Sequence, residues 1–250
     1  LHVDLLVIAD GADSALREQL GFFTRRRSYG QDALVANISF AQSLEGCAYE
    51  RFTGSGPLAL LPLPPTAPAD HRAALVWTLP PAEAARLTAA DDAFFADALV
   101  DAFGYRLGRP LRIGRRQSYP LALTEAVEQV RRGMVVVGNA AHALHPVAGQ
   151  GFNLALRDVS ELGRVLARGA EIGLPPGDLA MLQRYQRRQR PDQDRTIQFS
   201  DQIPSLFMNR DPVLGMGRDL ALAGLDIMPG LKREFVRYAA GVAGGEQAGG

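Results

Sequence analysis

The stretch Gly138-Asn139-Ala140-Ala141-His142-Ala143-Leu144-His145-Pro146, continuing to Gly149-Gln150-Gly151-Phe152-Asn153, holds the densest set of groups able to do chemistry in this chain. It follows an apolar run at 134–137 and leads into a helical pattern over about 151–168. Glycines let a backbone approach a ligand closely, and Pro146 stiffens the loop. A helix starting there presents free N–H groups and a partial positive charge, which stabilise a phosphate or another anionic group. By composition alone, a plain strand-to-helix turn reads the same way.

A second stretch, Ala9-Asp10-Gly11-Ala12-Asp13-Ser14-Ala15-Leu16-Arg17, also closes a strand and opens a helix. Ser14 or Asp13 would cap that helix. Arg17 would pair with a phosphate or with a neighbouring carboxylate. His142 and His145 invite a catalytic or metal reading, but Pro146 and the glycines make a loop, and no carboxylate cluster completes a metal site. Arg157 and Asp158 read as an ordinary exposed pair on the following helix. Trp77 and Phe40 read as core, and Cys47, the single cysteine, as an inert structural residue. Tyr119-Pro120 stands where a β-rich segment ends.

The elements that would position these groups follow from periodicity and turn chemistry. Residues 3–9 form a short strand and 14–20 a short helix stopped by Gly21. The Arg25-Arg26-Arg27 run reads as a solvated loop. Strands are expected at 33–40, 48–52, 58–63 and 73–79, punctuated by Gly54-Ser55-Gly56-Pro57 and the prolines of 62–68. Pro80-Pro81 opens two helical pieces running to about residue 103, the second capped near Asp91. Residues 111–119 return to strand, limited by Pro120, and the chain beyond Gly177 is mostly helical. The fold class is therefore α/β. Residues 1–28 and 121–170 would build one nucleotide-binding domain around a mainly antiparallel β insertion at 29–120, with a helical region at 171–250.

Bulk properties narrow the classes. Balanced charge, 27 basic against 27 acidic residues, gives no reason to expect nucleic acid as a partner. One cysteine excludes an intrachain disulfide and suits a reducing cytoplasm. No uninterrupted apolar stretch reaches about 18 residues, so no spanning helix is expected. The start, Leu1-His2-Val3-Asp4, is neither an initiator methionine nor a signal peptide, and it reads as the start of a fragment.

Both stretches resemble the motifs of the class A flavoprotein monooxygenases: the Asp-Gly motif at 9–17 and the second FAD motif at 138–158, in the family's order around a β-rich middle. The ubiquinone-biosynthesis branch, the 2-octaprenyl-6-methoxyphenol hydroxylases within it, is the most similar. Tyr49-Glu50-Arg51-Phe52-Thr53, Gly56-Pro57-Leu58-Ala59, Ser118-Tyr119-Pro120-Leu121-Ala122-Leu123-Thr124, Phe199-Ser200-Asp201 and Asn209-Arg210 carry that likeness.

The resemblance implies FAD held by Asp10, Gly11, Arg17, Gly138, Asn139, Gly149, Gln150, Gly151, Phe152 and Asn153, with His145 and Pro146 near the flavin ring. Asn139 stands where the wider family has aspartate, and an amide can both accept and donate. No Gly-x-Gly-x-x-Gly opens the chain, so these residues alone are expected to hold FAD weakly. The implied reaction is hydroxylation of a polyprenylated phenol with NAD(P)H and O2, in the cytoplasm, peripheral to the inner face of a membrane. Lipid or other ubiquinone-biosynthesis proteins are the further partners expected. Residues 212–231, rich in apolar side chains but broken by Arg218, Asp219 and Asp226, are the segment expected to meet an isoprenoid or a bilayer. Two alternatives are a non-catalytic isoprenoid-binding protein of this fold and another flavin-fold enzyme, such as a prenyl reductase or a halogenase.

Overall fold

Capping residues set the element boundaries in the computed structural model, which describes residues 2–67, 70–146 and 149–208. Strand β1 (Leu6–Ile8) ends at Asp10-Gly11, and helix α1 (Ala15–Gln19) begins after Ser14, whose hydroxyl accepts the Arg17 N–H at 3.0 Å. Strand β2 (Thr24–Phe40) is long. It is followed by β3 (Tyr49–Phe52), β4 (Pro57–Leu63) and β5 (His71–Leu79). Pro81 starts helix α2 (Pro81–Ala89), where its missing N–H costs nothing. Asp91 caps α3 (Asp92–Phe103) by accepting the Phe94 N–H at 2.8 Å. Strands β6 (Pro110–Ile113), β7 (Gln117–Ala126), β8 (Val130–Arg131), β9 (Met134–Val136) and β10 (His142–Ala143) precede helices α4 (Gln150–Glu171) and α5 (Leu179–Met208).

The chain folds as two units: the part up to Arg27 together with Ala122–Ile203, and Ser28–Leu121. In the first unit β1 lies parallel to β9, with Leu6 opposite Met134 and Ile8 opposite Val136, and β8 pairs antiparallel on the far side of β9. Alternation along β9 splits the core. Val136 joins Ile8, Phe22, Ala140 and Ala141, whereas Val135 and Val137 meet Leu162, Val165, Leu182 and Tyr185 from α4 and α5. Each fully buried aliphatic side chain there is worth roughly 1.5–3 kcal/mol. Because β1 and β9 are parallel neighbours, the Asp-Gly turn after one and the glycine loop after the other leave from the same edge of the sheet.

In the second unit the antiparallel order is β7-β2-β5-β4-β3, with β6 paired to β2. Leu34, Ile38, Leu58, Leu60, Leu75 and Trp77 fill one face against Phe95 and Leu99 of α3, and Trp77 meets Phe95 edge-on with ring centroids 6.4 Å apart. The in-register set Val35, Val76 and Ala59 lies on the opposite face, with Leu61 beside Ala74.

Two expectations are corrected. Arg25-Arg26-Arg27 is strand, not loop: it forms the start of β2, with all three side chains exposed. Both faces of the strand meet solvent there, so no apolar alternation announces it. Residues 111–119 are two strands, β6 and the start of β7. Pro120 does not limit the second, which runs through it to Ala126. A proline removes one donor, and a strand tolerates that where the position makes no ladder bond. The apolar segment 212–231 lies outside the described residues.

Candidate functional site

Asp10 and Gly11 form the turn after β1. The Ser14 hydroxyl donates to one Asp10 carboxylate oxygen, and the Leu16 N–H reaches the other at 3.3 Å. The Ser14 bond, with help from the Leu16 N–H, holds the Asp10 carboxyl below the usual carboxylate range. Of the two capping candidates Ser14 caps, and exposed Asp13 pairs with Arg26 at 3.3 Å. Gly11 has φ +101°, and a Cβ there would meet nothing within 4 Å.

Arg17 is turned inward, with 2% of its surface exposed. Its guanidinium donates to the Ala140 carbonyl at 2.8 Å and to the Ala12 carbonyl at 3.0 Å. One side chain thereby ties the Asp-Gly turn to the glycine loop. A guanidinium suits this because its donors point along fixed, diverging directions.

Gly138, at φ +60°, and Asn139 form a 3-10 turn with Ala140, and Asn139 is exposed. His142 follows in β10, paired with Glu125 of β7. His145 is buried, and burial pushes its imidazole down to about 4 against the upward pull of the Asp201 carboxylate. Pro146 is exposed, and residues 147 and 148 lie outside the described set. Gly149, at φ +60°, is the N-cap of α4 and has no side chain to cap with. Gln150 is buried, Gly151 and Asn153 are half-buried, and Phe152 is 72% exposed.

The start of α4 therefore offers N–H groups, no acid in its first turn, and open space. A Cβ on Gly151 would meet nothing within 4 Å, so the protein's own packing does not demand glycine there. Gly149 is different, because its left-handed backbone favours glycine whatever lies near. An uncapped helix end beside an empty Cβ position suits an anionic or electron-rich group brought close to the backbone. These features fit the pyrimidine end of a flavin.

Asp158 is the site residue that the sequence misplaces. It is not exposed but fully buried, and its carboxylate accepts the Nε2–H of His142 at 2.5 Å and the Gln193 amide at 3.0 Å. Gln193 and Gln129 exchange bonds of 3.0 and 3.2 Å behind it. The network joins the glycine loop to α4 and α5. Asp158 stands four residues from Leu154 and four from Leu162, in the buried stripe of α4, which is the signal that would have found it. Arg157 points elsewhere, donating to Asp192 at 2.7 Å and Thr196 at 3.1 Å. Tyr119 is exposed, with its hydroxyl 3.2 Å from the Gln117 side chain.

A family model for the FAD binding domain matches residues 1–200. Ubiquinone hydroxylase UbiL of Rhodospirillum rubrum is 38% identical over 237 residues, which cover 95% of this chain and 54% of that protein. The 3-demethoxyubiquinol 3-hydroxylase of Escherichia coli is 32% identical over 244 residues, 97% of this chain and 60% of that one. Among solved structures, p-nitrophenol 4-monooxygenase PnpA from Pseudomonas putida aligns with a TM-score of 0.68 at 19% identity, over 97% of this chain and 60% of that chain. At that identity the likeness is one of fold. The chain spans a little over half the length of these curated relatives.

Proposed function

This chain belongs to the family defined by the FAD binding domain, in the ubiquinone-biosynthesis branch of the flavoprotein monooxygenases, and from that premise we propose that it forms the larger part of a hydroxylase acting on a polyprenylated phenol. The observation that carries this reading is the uncapped start of α4, open in front of Gly151 and tied to the Asp-Gly turn through Arg17 and Ala140.

When bound, FAD would supply the redox chemistry, carrying two electrons from NAD(P)H to O2 for a reaction in which one oxygen atom enters the phenol ring and the other leaves as water. The side chains have other work. The backbone N–H groups at the start of α4, beyond Gly149 whose own N–H goes to the Pro146 carbonyl at 3.2 Å, would stabilise negative charge at the flavin's pyrimidine end. The Asn139 amide and the Asp10 carboxylate hold hydroxyl groups of the cofactor, and Gly11 and Gly138 let it approach. Arg17 serves as a positioning residue, since its Nη1 and Nη2 groups each donate to a backbone carbonyl. His145, kept neutral by burial, adds no positive charge beside Pro146 near the ring. These residues serve the flavin end, so the 250 residues alone hold FAD weakly. In the second unit, Val35, Ala59 and Val76 offer the apolar surface that a prenylated ring needs. Among the described residues no helix is long and apolar enough to cross a membrane, and peripheral attachment suits such a substrate.

The test is incubation of the intact protein with FAD, NAD(P)H, isotopically labelled dioxygen and a short-chain prenylated phenol. Incorporation of one labelled oxygen into the ring is the expected result. Nicotinamide oxidation yielding only hydrogen peroxide, with every phenol tried, would overturn the proposal.

A further inference from the structure

A cleft of about 370 Å³ opens beside α5 in the first unit and shares no lining residue with the site described above. Arg25, from the start of β2, and Arg187 and Arg190, one turn apart on α5, line it together with Gln186 and Glu125. Arg190 is engaged by Asp194 at 2.9 Å. Among the described residues Arg25 and Arg187 have no ion-pair partner, so two uncommitted guanidinium groups face a single lining carboxylate. Such groups bind phosphate oxygens through paired, charge-assisted hydrogen bonds.

Ala126 and Val127 form the apolar part of the cleft lining. Val127, one of its lining residues, is 53% exposed, and its N–H donates at 2.9 Å to the carbonyl of Phe23, which is 77% exposed. Cationic side chains beside an exposed aromatic match the layering of a bilayer surface, with phosphates outside and acyl chains beneath. We propose that this cleft binds the phosphate headgroup of an anionic phospholipid, with Phe23 and Val127 entering the acyl boundary beside it. The attachment is peripheral and reversible. It does not depend on the hydroxylase reading, because it is measured without flavin or turnover.

Co-sedimentation of the intact protein with vesicles tests it. Vesicles of phosphatidylcholine with phosphatidylglycerol should bind the protein, pure phosphatidylcholine vesicles should not, and rising salt should weaken the binding. Arg25→Gln and Arg187→Gln should each lower the partition about fivefold, the contribution of one basic residue near an anionic surface. Phe23→Ser should lower it further at constant salt. Arg26→Gln, which alters an exposed arginine outside the cleft, should change it far less. Thermal melts confirm that the variants are folded. Equal binding to both vesicle types, retention of wild-type binding in the two cleft variants, or an equal loss with Arg26→Gln would each overturn the proposal. So would calorimetric binding of free pyrophosphate, dependent on Arg25 and Arg187, by a protein that ignores the vesicles.

Discussion

The His142 imidazole and the Asp158 carboxylate meet at 2.5 Å, both closed off from solvent, and between them they fasten the glycine loop to α4. Replacing Asp158 with alanine strands His142 and the Gln193 amide at once. Two orphaned buried groups cost about 2–4 kcal/mol. Asp158→Asn keeps an acceptor and should cost less. Urea unfolding of the two variants checks the order, and a destabilisation below about 0.5 kcal/mol for the alanine variant, the range typical of surface substitutions, would show that the pair contributes little.

Arg17 ties the Asp-Gly turn to the glycine loop, whose Ala140 carbonyl lies 123 residues further along the chain. Arg17→Met should leave the Ala140 and Ala12 carbonyls unpaired, lowering stability by about 2–4 kcal/mol. Lysine should rescue only part, because an ammonium lacks the diverging planar donors. Amide exchange in residues 138–142 should quicken in both variants. Unchanged exchange there would mean that the loop holds its shape without the bracket.

Short-range chemistry was legible in the sequence: the Ser14 and Asp91 caps, the proline start of α2 and the glycine loop before α4 all stand where local rules put them. Long-range partnership was not. Nothing near Asp158 announces Gln193, 35 residues on, and nothing near Arg17 announces the Ala140 carbonyl. The arginines at the start of β2 hid a strand because its ladder is satisfied by partners, not by its own pattern. Burial of a polar group depends on which elements come together, and local periodicity does not record that.

His145 gives a pH signature. Its folded value of about 4 lies below the ordinary 6.5, so between these limits the unfolded chain binds a proton that the folded chain refuses. Stability from this residue is complete above about pH 6.5 and is lost as pH falls toward 4, by up to roughly 3 kcal/mol. Urea unfolding from pH 4.5 to 7.5 should show that slope, and His145→Asn should flatten it. An unchanged slope in the variant would assign the dependence to other groups.

Gly149 and Gly151 stand two residues apart but should fail differently. Gly149→Ala forces a side chain into a left-handed backbone at φ +60°, which costs about 1 kcal/mol and lowers stability with or without cofactor. A Cβ at Gly151 meets nothing within 4 Å, so Gly151→Val should keep the melting temperature close to wild type. Its branched side chain would instead fill the space in front of the α4 N-terminus, where the flavin is proposed to lie. Flavin titration followed by fluorescence quenching should therefore show at least a tenfold weaker affinity for Gly151→Val. Gly149→Ala should lose stability before it loses affinity. Wild-type flavin affinity in folded Gly151→Val would remove the start of α4 from the site, and with it the observation on which the proposed function rests.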